Sequence, residues 1–339
     1  MGCEKGKGLY FGIKKAGKPF FLLKTGNNKK EKFVSCRKLV NNAWQEVPVS
    51  LDVSKPAVVR DIMNHYGISC RKSLGQNFLV DRNMIKKIVT AADLTPACLV
   101  VEIGPGLGAL TVQAVQKAGK VLAIELDRGL IPPLNEVLEG AGDVEIVPGD
   151  ALKTDFDALV GEKTAGAFGR NGREYKVLGN LPYYITSPLL MRLLTGRYHI
   201  SLIIVMVQLE VAARLTAVPG TKEYGSLSVA VQYFTKPEIL FRVPGSCFFP
   251  PPGVNSAVVR LAVRPAPAVT VHDEELFFKV VRAAFGQRRK TLLNSLAGSG
   301  LLGGKDFWLQ VLQNAGLDPH RRGETLTLAE FAVLTEKIK

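Results

Sequence analysis

Cysteine and histidine are sparse in this 339-residue chain, five of the first and four of the second, with no CxxC pair and no histidine cluster. That scatter excludes a disulfide framework and offers no zinc site, so no metal is expected. No uninterrupted apolar run reaches about 18 residues, which excludes an ordinary transmembrane helix. The opening segment carries lysines but no continuous apolar stretch with a cleavage site, so no secretory signal is read. Gly6 stands where an acylation signal following Gly2 needs Ser or Thr. The chain is therefore expected in the cytoplasm, with no membrane partner. Acid is in deficit as well: 30 Asp and Glu face 44 Lys and Arg, a net charge of +14. A surplus of that size points to a polyanionic partner.

The surplus is unevenly placed. Residues 1–55 hold 12 Lys/Arg against 4 Asp/Glu, so +8 of the net charge sits in an opening segment with poor periodicity and many Gly, Lys and Asn residues. It reads as a basic, disordered extension, and the case for nucleic acid has to come from residues 56–339. Those residues are enough for two domains with a large core.

Pro56 to Tyr66 has the pattern of a short helix, and Asp81 is a fitting N-cap for an amphipathic helix over MIKKIVTAADL. From Cys98 onward, apolar strands alternate with helices. CLVVEIG, KVLAIEL, VEIVPG, YKVLGN and SLIIVMVQ are the strand candidates. Continuous Val/Ile/Leu runs in this alternation predict a parallel sheet covered on both faces. LSVAVQYF and SAVVRLAV are read as further strands at the sheet edge. AGAFGRNGR (165–173) reads as an exposed insertion before the fourth strand. The RPAPAV stretch is taken as the boundary between a catalytic domain at 56–264 and a helical domain at 265–339. In the latter, helices are expected at DEELFFKVVRAAF, Gln287–Leu296, KDFWLQVLQNAG and LTLAEFAVLTEKIK. Phe277, Phe278 and Trp308 sit there at core spacing.

Two motifs carry the chemistry. Glu102-Ile103-Gly104-Pro105-Gly106-Leu107-Gly108 follows a strand and opens a helix, so its backbone can approach a ligand at a helix N-terminus. The GxGxG spacing departs from the GxGxxG of dinucleotide enzymes. Glu125 ends the next strand, where an acid binds both ribose hydroxyls. Asp150 closes the third strand; it either accepts a hydrogen bond from an adenine amino group or caps a helix over ALKTDFDALV. The second motif is Asn180-Leu181-Pro182-Tyr183 at the end of the fourth strand. An amide oxygen and the Leu181 carbonyl can each accept from an exocyclic NH2, and the Tyr183 ring can stack on the base. Beside a glycine turn holding a methyl donor, this reads as an enzyme that methylates a nucleobase amino group. The base must be unpaired or flipped out to reach it.

Several separated motifs, KSLGQNFLVD (72–81), VEIGPGLGALT (101–111), AIELD (123–127), GD (149–150), NLPYYITSPLL (180–190), FPPPGVNSAVVRL (249–261) and FGQRRKTLLNSL (285–296), give a family likeness from about Pro56 to the C-terminus. The chain resembles the bacterial small-subunit ribosomal RNA adenine N6,N6-dimethyltransferases of the kasugamycin-sensitivity family. The resemblance implies a Rossmann-like, seven-strand α/β S-adenosylmethionine-dependent methyltransferase with a small all-helical C-terminal domain. It implies cofactor contacts at Asn77, Leu79, Gly104, Glu125, Asp150 and Asn180. Asn180, Leu181, Pro182 and Tyr183 would hold the target adenine, with Phe248 as a second stacking ring or else a core residue. Arg282, Arg288, Arg289 and Lys290 would contact RNA phosphates. The substrate implied is small-subunit rRNA in a 30S precursor, modified at two adjacent adenines near its 3′ end by a monomeric enzyme. The chain departs from the pattern at Gly253 and Asn255, where relatives carry Lys and Asp. A large-subunit rRNA adenine methylase, a non-catalytic ribosome assembly factor and a nicotinamide oxidoreductase are the alternatives. The glycine spacing and the lack of a hydride-transfer site disfavour the last.

Overall fold

The computed structural model of the protein describes residues 9–15, 18–25, 32–40, 43–48, 51–71 and 74–338. The extension read as disordered at 1–55 instead carries four strands, Leu9–Lys15, Lys18–Thr25, Lys32–Val40 and Ala43–Pro48, each paired antiparallel with the next in a sheet of their own, and the other residues up to 50 lie outside the described residues. From residue 51 onward the elements in chain order begin with α1 (Pro56–Tyr66), β1 (Phe78–Leu79), α2 (Arg82–Ala91), β2 (Leu99–Ile103), α3 (Ala109–Val115) and β3 (Lys120–Glu125). They continue with α4 (Ile131–Leu138), β4 (Val144–Pro148), α5 (Phe156–Lys163), β5 (Tyr175–Asn180), α6 (Thr186–Thr195) and β6 (Ile200–Gln208). Next come α7 (Leu209–Thr216), α8 (Ser226–Phe234), β7 (Thr235–Val243), β8 (Phe248–Phe249) and β9 (Ser256–Val263). Four helices follow: α9 (Glu274–Phe285), α10 (Leu292–Ala297), α11 (Lys305–Asn314) and α12 (Leu328–Glu336). Among the described residues no helix is long and apolar enough to cross a membrane.

Local chemistry sets many of these boundaries. Pro56 opens α1, where its missing N–H costs nothing, and Gly67 ends it in the left-handed region. Asp81 accepts from the backbone N–H groups of Asn83 and Met84 at the start of α2. Thr327 and Glu330 form a reciprocal capping box on α12.

Seven strands form one sheet in the order β7-β9-β6-β5-β2-β3-β4. The five from β4 to β6 run parallel and β9 runs antiparallel to both of its neighbours. Side chains alternate between two apolar layers, as a period of two requires. Leu99, Val101, Ile103, Leu122, Ile124 and Val205 face one layer; Val100, Val121, Leu178, Ile204 and Met206 face the other. Covering both faces is why most of these strands read as Val/Ile/Leu-rich runs with few polar residues.

The structure corrects the edge of the sheet. LSVAVQYF is not a strand but most of α8, and the edge strand is β7, TKPEILFRV. Seven of the nine α8 residues are buried, so this helix is enclosed on nearly all sides and its few polar residues, Ser226, Ser228 and Gln232, make no clear stripe to distinguish it from a strand. β7 alternates charged and apolar residues, and its Pro237 is tolerated because it lies on an edge.

The helical segment packs directly on the sheet layer. Tyr233 of α8 stands 5.2 Å, ring centre to ring centre, from both Phe277 and Phe278, and Phe234 stacks on Phe278 at 5.7 Å. One apolar cluster runs from the strands through these rings to Trp308, Leu312 and Phe331. Phe277, Phe278 and Trp308 are buried, as their spacing predicts. A second correction falls at Gln287–Leu296: α10 begins only at Leu292, capped by Thr291, and residues 287–290 form a turn.

Candidate active site

The sheet itself locates the site. From β2 the chain steps outward to β3 and β4, then returns to the other side of β2 to add β5 and β6. The direction of winding therefore reverses between β2 and β5, and open α/β sheets bind ligands at the carboxyl ends of such a pair. Register makes the placement sharper. Ile103 pairs with Gly179 on one side and with Ile124 on the other, and Glu125 pairs with Pro148. The next residues, Asn180, Gly104 and Glu125, leave three neighbouring strands at one level, with Gly149 and Asp150 just beyond the fourth. A cleft of about 1070 Å³, open mouth included, is lined by all of these.

The glycine turn approaches this cleft with Gly104, Gly106 and Gly108 at φ of +70°, +60° and +83°. At Gly106 the conformation and the space both demand glycine: a Cβ would meet the Phe78 ring at 3.1 Å. Glu125 is held from both sides, its Oε1 accepting from the Asp127 N–H at 2.8 Å and its Oε2 from the Gly106 N–H at 3.1 Å. Burial raises its pKa, and those two bonds offset part of the rise. Asp150 accepts from the Leu152 N–H at 2.9 Å, which makes a tight turn. It does not cap the following helix: Asp155 does, by accepting from the Ala158 N–H.

The loop from Asn180 to Tyr183 is equally well held. The Asn180 amide donates through Nδ2 to the Asn77 carbonyl at 2.9 Å, so its orientation is fixed and Oδ1 remains as an acceptor. Pro182's carbonyl is taken by the Ile185 N–H and the Thr186 hydroxyl at the start of α6. Leu181's carbonyl accepts no hydrogen bond from the described residues. Tyr183 lines the cleft and its hydroxyl is 2.9 Å from Ser256 Oγ. Asn77 and Leu79 also line the cleft, and Asn77's own amide donates to the Gly75 carbonyl.

Two expectations change. Phe248 is 4% exposed, pairs with Leu79 in the small β1–β8 ribbon and does not line the cleft. Its alternative reading, as core, is the one this arrangement matches, because the ribbon spends that ring on packing the N-terminal loop against the body. The basic cluster Arg288-Arg289-Lys290 occupies the turn between α9 and α10 and not a helix face. Arg282, Arg289 and Lys290 are exposed and have no carboxylate partner among the described residues, whereas Arg288 pairs with Glu324 at 3.3 Å and donates to the Lys222 carbonyl. Asn255, at one of the two atypical positions, accepts from the Gly245 N–H and receives the Leu209 N–H at its carbonyl. It ties the chain at Gly245 to the start of α7.

Sequence reasoning missed a role for Glu102, Gln76, Asp127 and the exposed ring of Tyr184. Glu102 was detectable, since a carboxylate inside an otherwise apolar strand is a buried polar group in need of a reason. It is 1% exposed, lines the cleft, and its Oε2 has no partner. Desolvation lifts its pKa from 4.5 to about 7, with the Thr111 hydroxyl opposing and Glu125 adding to the rise. An orphaned, buried carboxyl on a cleft wall fits a cationic ligand.

It also makes a prediction for the ligand-free protein. Below pH 4.5 Glu102 is protonated in both folded and unfolded chains, so nothing is lost. As pH rises to about 7 the unfolded chain ionises and the folded one does not, so stability falls, by on the order of 3 kcal/mol, and is flat above. Glu102→Gln should therefore be more stable than the unmodified protein in urea at pH 8, with the gap closing toward pH 4.5. A difference that ignores pH would refute this account.

This sheet, its cleft at the winding reversal and the glycine turn with acids at successive strand ends define an S-adenosylmethionine-dependent methyltransferase. The sequence pattern described as "Ribosomal RNA adenine dimethylase" matches residues 67–333. The chain belongs to the ribosomal RNA adenine dimethylase family. It is 70% identical to the ribosomal RNA small subunit methyltransferase A of Pelotomaculum thermopropionicum, over 84% of this chain and 96% of that protein. To the protein of the same name from Moorella thermoacetica it is 50% identical, over 85% and 99% of the two chains. Among solved structures it is similar to a dimethyladenosine transferase from Plasmodium falciparum, with TM-score 0.63, 27% identity and coverage of 76% and 95%. It is also similar to the 23S rRNA methyltransferase ErmE, with TM-score 0.58, 26% identity and coverage of 77% and 99%.

Proposed function

We propose that the protein transfers methyl groups from S-adenosylmethionine to N6 of two adjacent adenines near the 3′ end of small-subunit rRNA, giving N6,N6-dimethyladenosines during 30S assembly. The observation that carries the chemistry is the fixed Asn180 amide, whose Nδ2 is committed to the Asn77 carbonyl while Oδ1 stays an acceptor. The cofactor supplies an electrophilic methyl on a sulfonium. Glu125 would hold the ribose hydroxyls, Asp150 the adenine amine, and the backbone of Gly104, Asn77 and Leu79 the rest, with Glu102 countering positive charge. Asn180 Oδ1 and the Leu181 carbonyl would accept the two N6 hydrogens in the first transfer, and one of them the single N6 hydrogen left in the second. That pyramidalises a nitrogen whose lone pair is otherwise delocalised and aims it for in-line attack. Tyr183 would stack on the base, for roughly 1–3 kcal/mol. As the nitrogen–methyl bond forms the methyl–sulfur bond would break, and the proton of the now cationic nitrogen would leave to solvent; no dedicated general base and no metal are invoked.

Residues 56–264 serve in this reading as the catalytic domain and 265–339 as a helical RNA-binding domain, in which Arg282, Arg289 and Lys290 meet phosphates. The enzyme works as a cytoplasmic monomer on a 30S precursor. The small-subunit substrate is favoured over a large-subunit one by the 70% identity to a small-subunit methyltransferase, against 26% to ErmE. Purified protein with S-adenosylmethionine should methylate 30S precursors lacking the modification, and mass spectrometry should find two adjacent dimethyladenosines. Methylation confined to protein-free large-subunit rRNA would overturn the assignment.

A further inference from the structure

Gln76 makes two hydrogen bonds that only a side-chain amide can make together. Its Nε2 donates to Asp127 Oδ2 at 2.8 Å, and its Oε1 accepts from the Arg71 backbone N–H at 2.8 Å. Asp127 is 3% exposed, and capping explains one of its oxygens, since Oδ1 takes the Gly129 N–H at 3.0 Å. The second oxygen is occupied by Gln76. The Arg71 guanidinium, itself exposed, also reaches Asp127 Oδ1 at 3.2 Å.

Each end of this contact leads into the active site. The Asp127 N–H holds Glu125 Oε1, and the residue after Gln76 offers the carbonyl that fixes the Asn180 amide. From these bonds we infer that Gln76 is a positioning residue, coupling the acids on the cofactor side of the cleft to the acceptor on the base side. The inference rests on the roles proposed above for Glu125 and Asn180. Binding of the cofactor at Glu125 then stiffens the segment that sets Asn180's orientation, so the methyl donor and the base acceptor are ordered as one unit. A carboxylate at position 76 would face Asp127 with like charge, and an aliphatic side chain would leave a buried carboxylate oxygen unpaired.

The test is a reciprocal exchange. Gln76→Glu should raise the calorimetric Kd for S-adenosylmethionine and, at saturating cofactor, lower kcat by about tenfold to a hundredfold, the cost of slight misplacement at a reacting centre. Thermal unfolding should move by no more than a few degrees. Adding Asp127→Asn restores an amide facing a carboxylate with donor and acceptor reversed, and keeps acceptors for the Arg71 and Gly129 N–H groups. The double variant should regain most of both kcat and affinity. Wild-type kcat in Gln76→Glu, a change in Kd alone, or a folded double variant without recovery would each overturn the coupling. If the unmodified protein binds cofactor but methylates neither ribosomal subunit's RNA, the proposed function fails instead, and the Kd comparison still judges the Gln76–Asp127 link.

Discussion

Asn180→Ala is expected to reduce methyl transfer by at least about a thousandfold while the protein stays folded and still binds S-adenosylmethionine within about tenfold. The reasoning is that of a preorganised acceptor. Removing one fixed polar group aimed at developing charge costs about 2.7–4 kcal/mol at the transition state. Here the loss is compounded because the Asn77 carbonyl also loses its donor. Asn180→Asp sharpens the point: it keeps an acceptor but sets a carboxylate against that carbonyl, so it should be nearly as inactive as the alanine variant. Single-turnover transfer of labelled methyl to precursor 30S subunits measures both. Activity of Asn180→Ala within tenfold of the unmodified enzyme would remove Asn180 from the chemistry.

The second large effect is on stability. Trp308 is 0% exposed, meets Phe307 edge-on at 5.3 Å between ring centres, and donates from Nε1 to the Leu301 carbonyl at 3.2 Å. Trp308→Ala should cost about 3–5 kcal/mol, from lost transfer energy and the cavity left behind. Because the cluster around it is continuous with the sheet, this loss should appear as one shifted unfolding transition. Denaturant unfolding followed by tryptophan-independent far-UV dichroism provides the measurement. Two separate transitions would show that the C-terminal helices fold as an independent unit.

The parts of this molecule that were legible in its sequence are those fixed by local chemistry. Asp81 and the apolar face after it specify α2, and the strands ending at Ile103, Glu125, Pro148, Asn180 and Gln208 announce themselves as Val/Ile/Leu-rich runs even where Glu102, Glu145 or Lys176 interrupts them. The glycine turn, Glu125, Asp150 and Asn180 were legible as a set because strand ends in a parallel sheet converge. What stayed hidden depends on neighbours distant in sequence. Whether LSVAVQYF is helix or strand turns on its being enclosed on nearly all sides, and whether Phe248 faces a ligand or the core turns on its pairing with Leu79. The Gln76–Asp127 contact joins residues 51 positions apart. A basic run such as Arg288-Arg289-Lys290 looks the same in sequence whether it lies on a helix or in a turn.

The pairing of Ile103 with Gly179 also decides where this chain can change length. In a strand, one inserted residue turns every later side chain to the opposite face. A single insertion within β5 would carry Asn180's amide away from the cleft while leaving the glycine turn, on its own strand, untouched. The same insertion in the connection at 165–173 is absorbed before β5 begins. Drift in chain length among descendants of this sequence is thus confined to the loops between strands, and the distance between methyl donor and base is inherited as a strand register.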